Sequence, residues 1–135
     1  MIPPLPRAWG DPAGSALIRS RPEDFQVSEA LGFELTGEGE HCFLYLEKRQ
    51  LNTHDLVQRI ASLCAVAPRE IGFCGLKDRN AVTRQWFSVG IAESDAPDWQ
   101  LLEASGDVQV VAVGRHARKL RRGAHRANRF ALVLR

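Results

Sequence analysis

The chain has 135 residues, 44% of them hydrophobic and 25% charged, which suits one globular domain with a real core and excludes a disordered polar chain. The apolar stretch near the start is broken by Pro3, Pro4, Pro6 and Arg7, so no signal-peptide core is expected. No run reaches the roughly 20 apolar residues that span a bilayer, so a soluble, cytoplasmic protein with no membrane partner is expected. The net charge of +2 hides a polarity: residues 108–135 carry eight cations and no acid, a local +8, while residues 1–107 sum to −6. Arg115, Arg118, Lys119, Arg121, Arg122 and Arg126 form the dense part of that segment, which suits a phosphate backbone or a solvated basic loop.

In chain order, the proline- and glycine-rich residues 1–14 predict an extended lead-in, whose PPLP is a weak polyproline signal. ALIRS, DFQVSEAL and HCFLYLEK then read as strands separated by Arg21-Pro22 and by the turn residues at 37–39. Leu56, Val57, Ile60, Ala61, Leu63 and Cys64 follow helical spacing, with Asn52 or Thr53 as the cap and Pro68 as the stop. EIGFCG, RQWFSVGI and VQVVAVGR predict three further strands, with WQLLEA a short helix before the last of them. NRFALVLR alternates Phe130, Leu132 and Leu134 against Arg129, Ala131 and Val133, which predicts a final strand with both faces mostly covered. Strands outnumber helices without regular β-α alternation, so the expected class is α+β with a largely antiparallel, mixed sheet. Residues 1–135 are expected to form a single domain. Cys42, Cys64 and Cys74 lie on apolar segments with no CxxC spacing, so reduced, packed thiols and no metal are expected.

The polar connection Leu76-Lys77-Asp78-Arg79-Asn80-Ala81-Val82-Thr83 between two apolar strands is the place to look for chemistry. Lys77 and Arg79 on either side of Asp78 would keep its carboxylate ionised, and Gly75 would admit a neighbouring backbone. A solvated salt-bridging loop has the same composition. Phe25 and Phe130 are aromatics beside polar residues, suited to stacking on an extruded base or to an ordinary core.

GLKDRNAVTRQWF at 75–87, PEDFQVSEALGFELTGEGEH at 22–41, NTHDL at 52–56 and ARKLRRGAHRANRFALVL at 117–134 together resemble the motifs of the TruD family of tRNA pseudouridine synthases. The resemblance implies the first half of the pseudouridine synthase catalytic fold, and isomerisation of the D-arm uridine at position 13 of tRNA to pseudouridine with no metal or organic cofactor. It makes Asp78 the catalytic aspartate, Lys77 its companion cation or a phosphate contact, and Phe25, Asn128 and Phe130 the pocket for the flipped uridine. Ala127 stands where the family motif has glycine, and Gln85 reads as structural. Family members are more than twice as long, so the resemblance also implies a missing C-terminal half as a partner. A non-catalytic RNA-binding module and a truncated, inactive fragment are the alternatives.

Overall fold

The computed structural model describes residues 21–135. The expected lead-in and the ALIRS strand lie outside the described residues. The elements are β1 (Phe25–Leu31), β2 (His41–Arg49), α1 (Thr53–Cys64), β3 (Ile71–Phe73), β4 (Val82–Gly90), β5 (Val108–His116) and β6 (His125–Leu132). The strands form one mixed six-stranded sheet in the order β5-β2-β4-β1-β6, with β3 also paired to β4. Among the described residues only the β1–β4 pair is parallel, so the α+β class with a largely antiparallel sheet is what the chain adopts.

The alternation in β2 decides which face is buried. Cys42, Leu44, Leu46 and Lys48 all point to one side and are buried, and β4 places Thr83, Gln85, Phe87 and Val89 on the same side through its register with β2. α1 covers this face with Leu56, Val57, Ile60 and Ala61, each apolar side chain of Leu or Ile size contributing about 1.5–3 kcal/mol. The Asn52 side chain caps α1 by accepting from the Asp55 N–H at 2.9 Å. The helix ends at Cys64, four residues before Pro68, because Ala65 turns into the left-handed region at φ 55°. WQLLEA forms a 3₁₀ turn over Trp99–Glu103, and EIGFCG forms a strand only over Ile71–Phe73.

The final strand differs from expectation. Among the described residues β6 is an edge strand, and Phe130 is 60% exposed with Leu132 and Leu134 also open. An alternating apolar pattern identifies a strand but not its place in the sheet, so it said nothing about cover.

Residues 119–120 cross close to β3. A Cβ at Gly72 would come within 2.4 Å of the Leu120 carbonyl oxygen, so glycine is required there, and the Leu120 N–H donates to Ser88 Oγ at 2.9 Å. Gly75 has no such neighbour: a Cβ there would meet nothing closer than His125 at 3.9 Å. The close approach expected at Gly75 therefore lies at Gly72.

Candidate active site

One edge of β4 is shared by two short partners. β1 pairs with Val82–Arg84, β3 pairs with Phe87–Val89, and the segment 74–81 emerges where they divide. At this gap the Trp86 N–H meets the Glu29 carboxylate, donating to Oε1 at 3.0 Å, while Glu29 Oε2 accepts from Lys77 Nζ at 2.9 Å. The Glu29 side chain is fully buried and that of Lys77 is 6% exposed. Glu29 thus ties the divided sheet edge to the Asp78 loop.

Three more polar groups hold the loop. The Lys77 N–H donates to Thr53 Oγ1 at 3.0 Å, Thr53 Oγ1 donates to Gln85 Oε1 at 3.0 Å, and Gln85 Nε2 donates to the Gly75 carbonyl at 3.1 Å. Buried Gln85 is a positioning group. From β2, Lys48 Nζ donates to the Asp78 carbonyl at 3.3 Å. Burial, then the charge of Lys77, pushes the Lys48 ammonium down to about 8, and the negative charge of Asp78 opposes the shift.

The bracket of cations expected around Asp78 is therefore arranged differently. Lys77 turns to Glu29, and Lys48 from the sheet is the cation hydrogen-bonded to the Asp78 backbone. The Asp78 carboxylate accepts from the Asn80 N–H at 2.9 Å, an Asx turn that fixes its direction.

Phe25, Lys77, Asp78, Asn128 and Phe130 all line one pocket of about 200 Å³, together with Val27. The register explains how distant segments meet: Val27 faces Phe130 and Glu29 faces Asn128 across the β1–β6 ladder, so these side chains share the face onto which the loop folds. The Phe25 and Phe130 ring centroids are 6.1 Å apart at 38°. Asn128 Oδ1 is buried and accepts no hydrogen bond among the described residues. Beside Phe25, the Asp24 carboxylate receives the Arg135 guanidinium at 2.6 and 2.8 Å, which lowers its pKa. Arg135 is thereby committed inside the chain.

The basic segment divides. Arg115 donates to the carbonyls of Gly39 and Ile91, Lys119 Nζ donates to the Arg69 carbonyl, and Arg122 lies 4.4 Å over the Phe73 ring. Arg118, Arg121 and Arg126 are exposed, and none of them has an ion pair among the described residues. None of these cations lines the Asp78 pocket.

Glu29, Cys74 and His125 place three potential ligand atoms within 4.8 Å of one another. Both Glu29 oxygens are already engaged, and burial followed by the Glu29 charge pushes the Cys74 thiol up to about 12. As arranged, Glu29 serves the Lys77 ion pair, and His125 Nδ1 is buried with no hydrogen-bond partner among the described residues. Cys42 and Cys74 are buried and Cys64 half-buried, all as free thiols. Among the described residues, no helix is long and apolar enough to cross a membrane.

The family profile of tRNA pseudouridine synthase D (TruD) matches residues 8–135. A tRNA pseudouridine synthase D from Methylococcus capsulatus is 53% identical over 131 residues, 97% of this chain and 37% of the relative. One from Cellvibrio japonicus is 50% identical over 134 residues, 97% of this chain and 40% of the relative. The solved structure of a tRNA pseudouridine synthase D from Methanosarcina mazei superposes with a TM-score of 0.70 at 28% identity, covering 86% of this chain and 26% of that one. The chain spans about two-fifths of the length of the curated relatives it matches. A match that runs through all but the first seven residues, together with a shared fold, shows that the chain belongs to the tRNA pseudouridine synthase D family.

Proposed function

We propose that this chain supplies the catalytic carboxylate and much of the uridine pocket of a cytoplasmic tRNA pseudouridine synthase acting on the D-arm uridine at position 13. The observation that carries the reading is the convergence of Phe25, Lys77, Asp78, Asn128 and Phe130 on one pocket from β1, the β3–β4 loop and β6. Family membership supplies the reaction, since the relatives are named for it.

The isomerisation breaks the C1′–N1 bond, forms C1′–C5, loses the C5 proton and returns a proton to N1. A carboxylate serves the sugar side of that exchange, by adding to C1′ as the base departs or by taking a sugar proton in a glycal route. The Asx turn anchors one Asp78 oxygen and so aims the carboxylate. Phe25 and Phe130 offer ring surface for an extruded base, and the unpartnered Asn128 oxygen can accept the uracil N3–H. The Lys77 ammonium lines the pocket with its charge balanced by Glu29, and its remaining N–H groups can donate to the departing uracil anion.

A second reading is that further polypeptide completes the site. At about 200 Å³ the pocket is below the ~300 Å³ at which small-molecule sites begin, and Phe130 is 60% exposed on its rim. The test uses tRNA tritiated at uridine C5, whose label is released as the C–C bond forms. It is applied to the chain alone and to a chimera in which the chain replaces its matching segment in the Methylococcus capsulatus relative. Release by the chimera and none by its Asp78→Asn variant is the expected result. A folded chimera that binds tRNA without releasing label would overturn the catalytic reading and leave an RNA-binding module.

A further inference from the structure

A second pocket, of about 410 Å³, lies apart from Asp78 on the opposite face of the sheet and shares no residue with the first. Phe33, His116, Leu120 and Ala124 line it, with Arg118 and Arg121 on its wall. The Phe33 and His116 rings are stacked at 4.8 Å and 28°, and fully buried Phe43 supports both edge-on, at 6.2 and 5.3 Å. Phe33 is 37% exposed.

The platform is built in place. The Thr36 N–H donates to His116 Nδ1 at 3.2 Å, which fixes the orientation of the ring. The Gly37 N–H donates to the Arg115 carbonyl at 3.1 Å, and Arg115 donates to the Gly39 carbonyl at 3.0 and 3.2 Å. Gly39 adopts φ +125°, and a Cβ there would come within 2.5 Å of the His116 carbonyl oxygen, so only glycine lets the 32–40 loop pack this closely. An exposed aromatic ring on a fixed support, beside two arginines with no acidic partner among the described residues, has the chemistry of a site for one unpaired nucleotide: a π-face for the base and guanidinium groups for the phosphate.

We infer that this pocket holds an unpaired nucleotide of the RNA, its base stacked on the Phe33–His116 platform and its phosphate on Arg118 and Arg121. The inference rests on the proposed RNA substrate and adds a second contact remote from the reacting uridine. It serves affinity, because the pocket lies across the sheet from Asp78.

The test follows the ring resonances of Phe33, His116, Phe25 and Phe130 in the 135-residue chain during titration with a five-nucleotide oligoadenylate and, separately, with ribose 5-phosphate. The expected result is large shifts at Phe33 and His116 with the oligonucleotide and small ones with the sugar phosphate. Phe33→Leu keeps the apolar volume but removes the stacking face, so it should weaken oligonucleotide binding about tenfold while leaving the melting temperature within a few degrees. Arg118→Gln with Arg121→Gln should weaken both ligands. Shifts confined to Phe25 and Phe130 would overturn the inference and leave the uridine pocket standing. Equal responses to the sugar phosphate and the oligonucleotide would overturn base stacking. No response at any of the four rings would overturn the inference, and the tritium-release assay would then judge the uridine pocket independently.

Discussion

Replacing Glu29 by glutamine removes the buried carboxylate that pairs with Lys77 in a cluster holding two ammonium groups. The Lys77 side chain is 6% exposed, Lys48 is buried beneath the same loop, and the Lys77 charge disfavours that of Lys48. The substituted amide can still accept from the Trp86 N–H, so the sheet edge stays satisfied and the perturbation is electrostatic. Breaking a buried ion pair by removing one partner costs about 3–5 kcal/mol. That is a large part of the roughly 5–15 kcal/mol by which a domain is stable. With a urea m-value of about 1.5 kcal/mol per molar, the unfolding midpoint should fall by about 2–3 M, read by Trp86 and Trp99 fluorescence. The double variant Glu29→Gln, Lys77→Met removes the stranded cation and should recover more than half of the loss. A single variant that loses under about 1 kcal/mol, or a double variant no better than the single, would falsify the role of Glu29 as counter-charge.

Lys48 gives a signature in alkali: its pKa falls from 10.5 unfolded to about 8 folded, so between these values the unfolded state binds more protons and stability rises with pH. The Lys48 share of that rise should be about 3 kcal/mol, with the penalty fully present below pH 8; burial holds the Cys64 and Cys74 thiols protonated to about 11 and about 12, which opposes the rise above pH 9, so the share is read as the stability gained relative to the Lys48→Met variant in urea titrations at pH 7.5, 9 and 10.5. Phe25→Ala should weaken productive tRNA binding by about 1–3 kcal/mol while lowering the melting temperature only modestly, because the ring is half-buried; several kcal/mol of lost stability with unchanged binding would make Phe25 a core residue. Replacing Arg118, Arg121, Arg122 and Arg126 together by glutamine should flatten the slope of log affinity against log salt by about 3, and weaken all tRNAs alike. An unchanged slope in filter binding would remove the phosphate role from this stretch.

The residues that hold the Asp78 loop were legible in the sequence in a way that motif reading passed over. In β2 the inward phase runs Cys42, Leu44, Leu46 and then Lys48, and in β1 it runs Val27 and then Glu29. A charge in the inward phase of an apolar alternation must find a partner or be neutralised, because burying it alone is too costly. Lys48 and Glu29 therefore announce a buried polar cluster from the alternation alone. Local pairing could not say which charges meet: Lys77 sits next to Asp78 in sequence but bonds Glu29, 48 residues away, because β1 and β3 divide the edge of β4 and bring that carboxylate under the loop. The same dependence on strand order left β6 misjudged, since alternation marks Phe130 and Leu132 as strand residues without telling an edge from a centre. The motif residues were recoverable because their spacing carries the chemistry. What supports them follows from sheet topology, and that emerges only when β1, β3 and β4 are placed together.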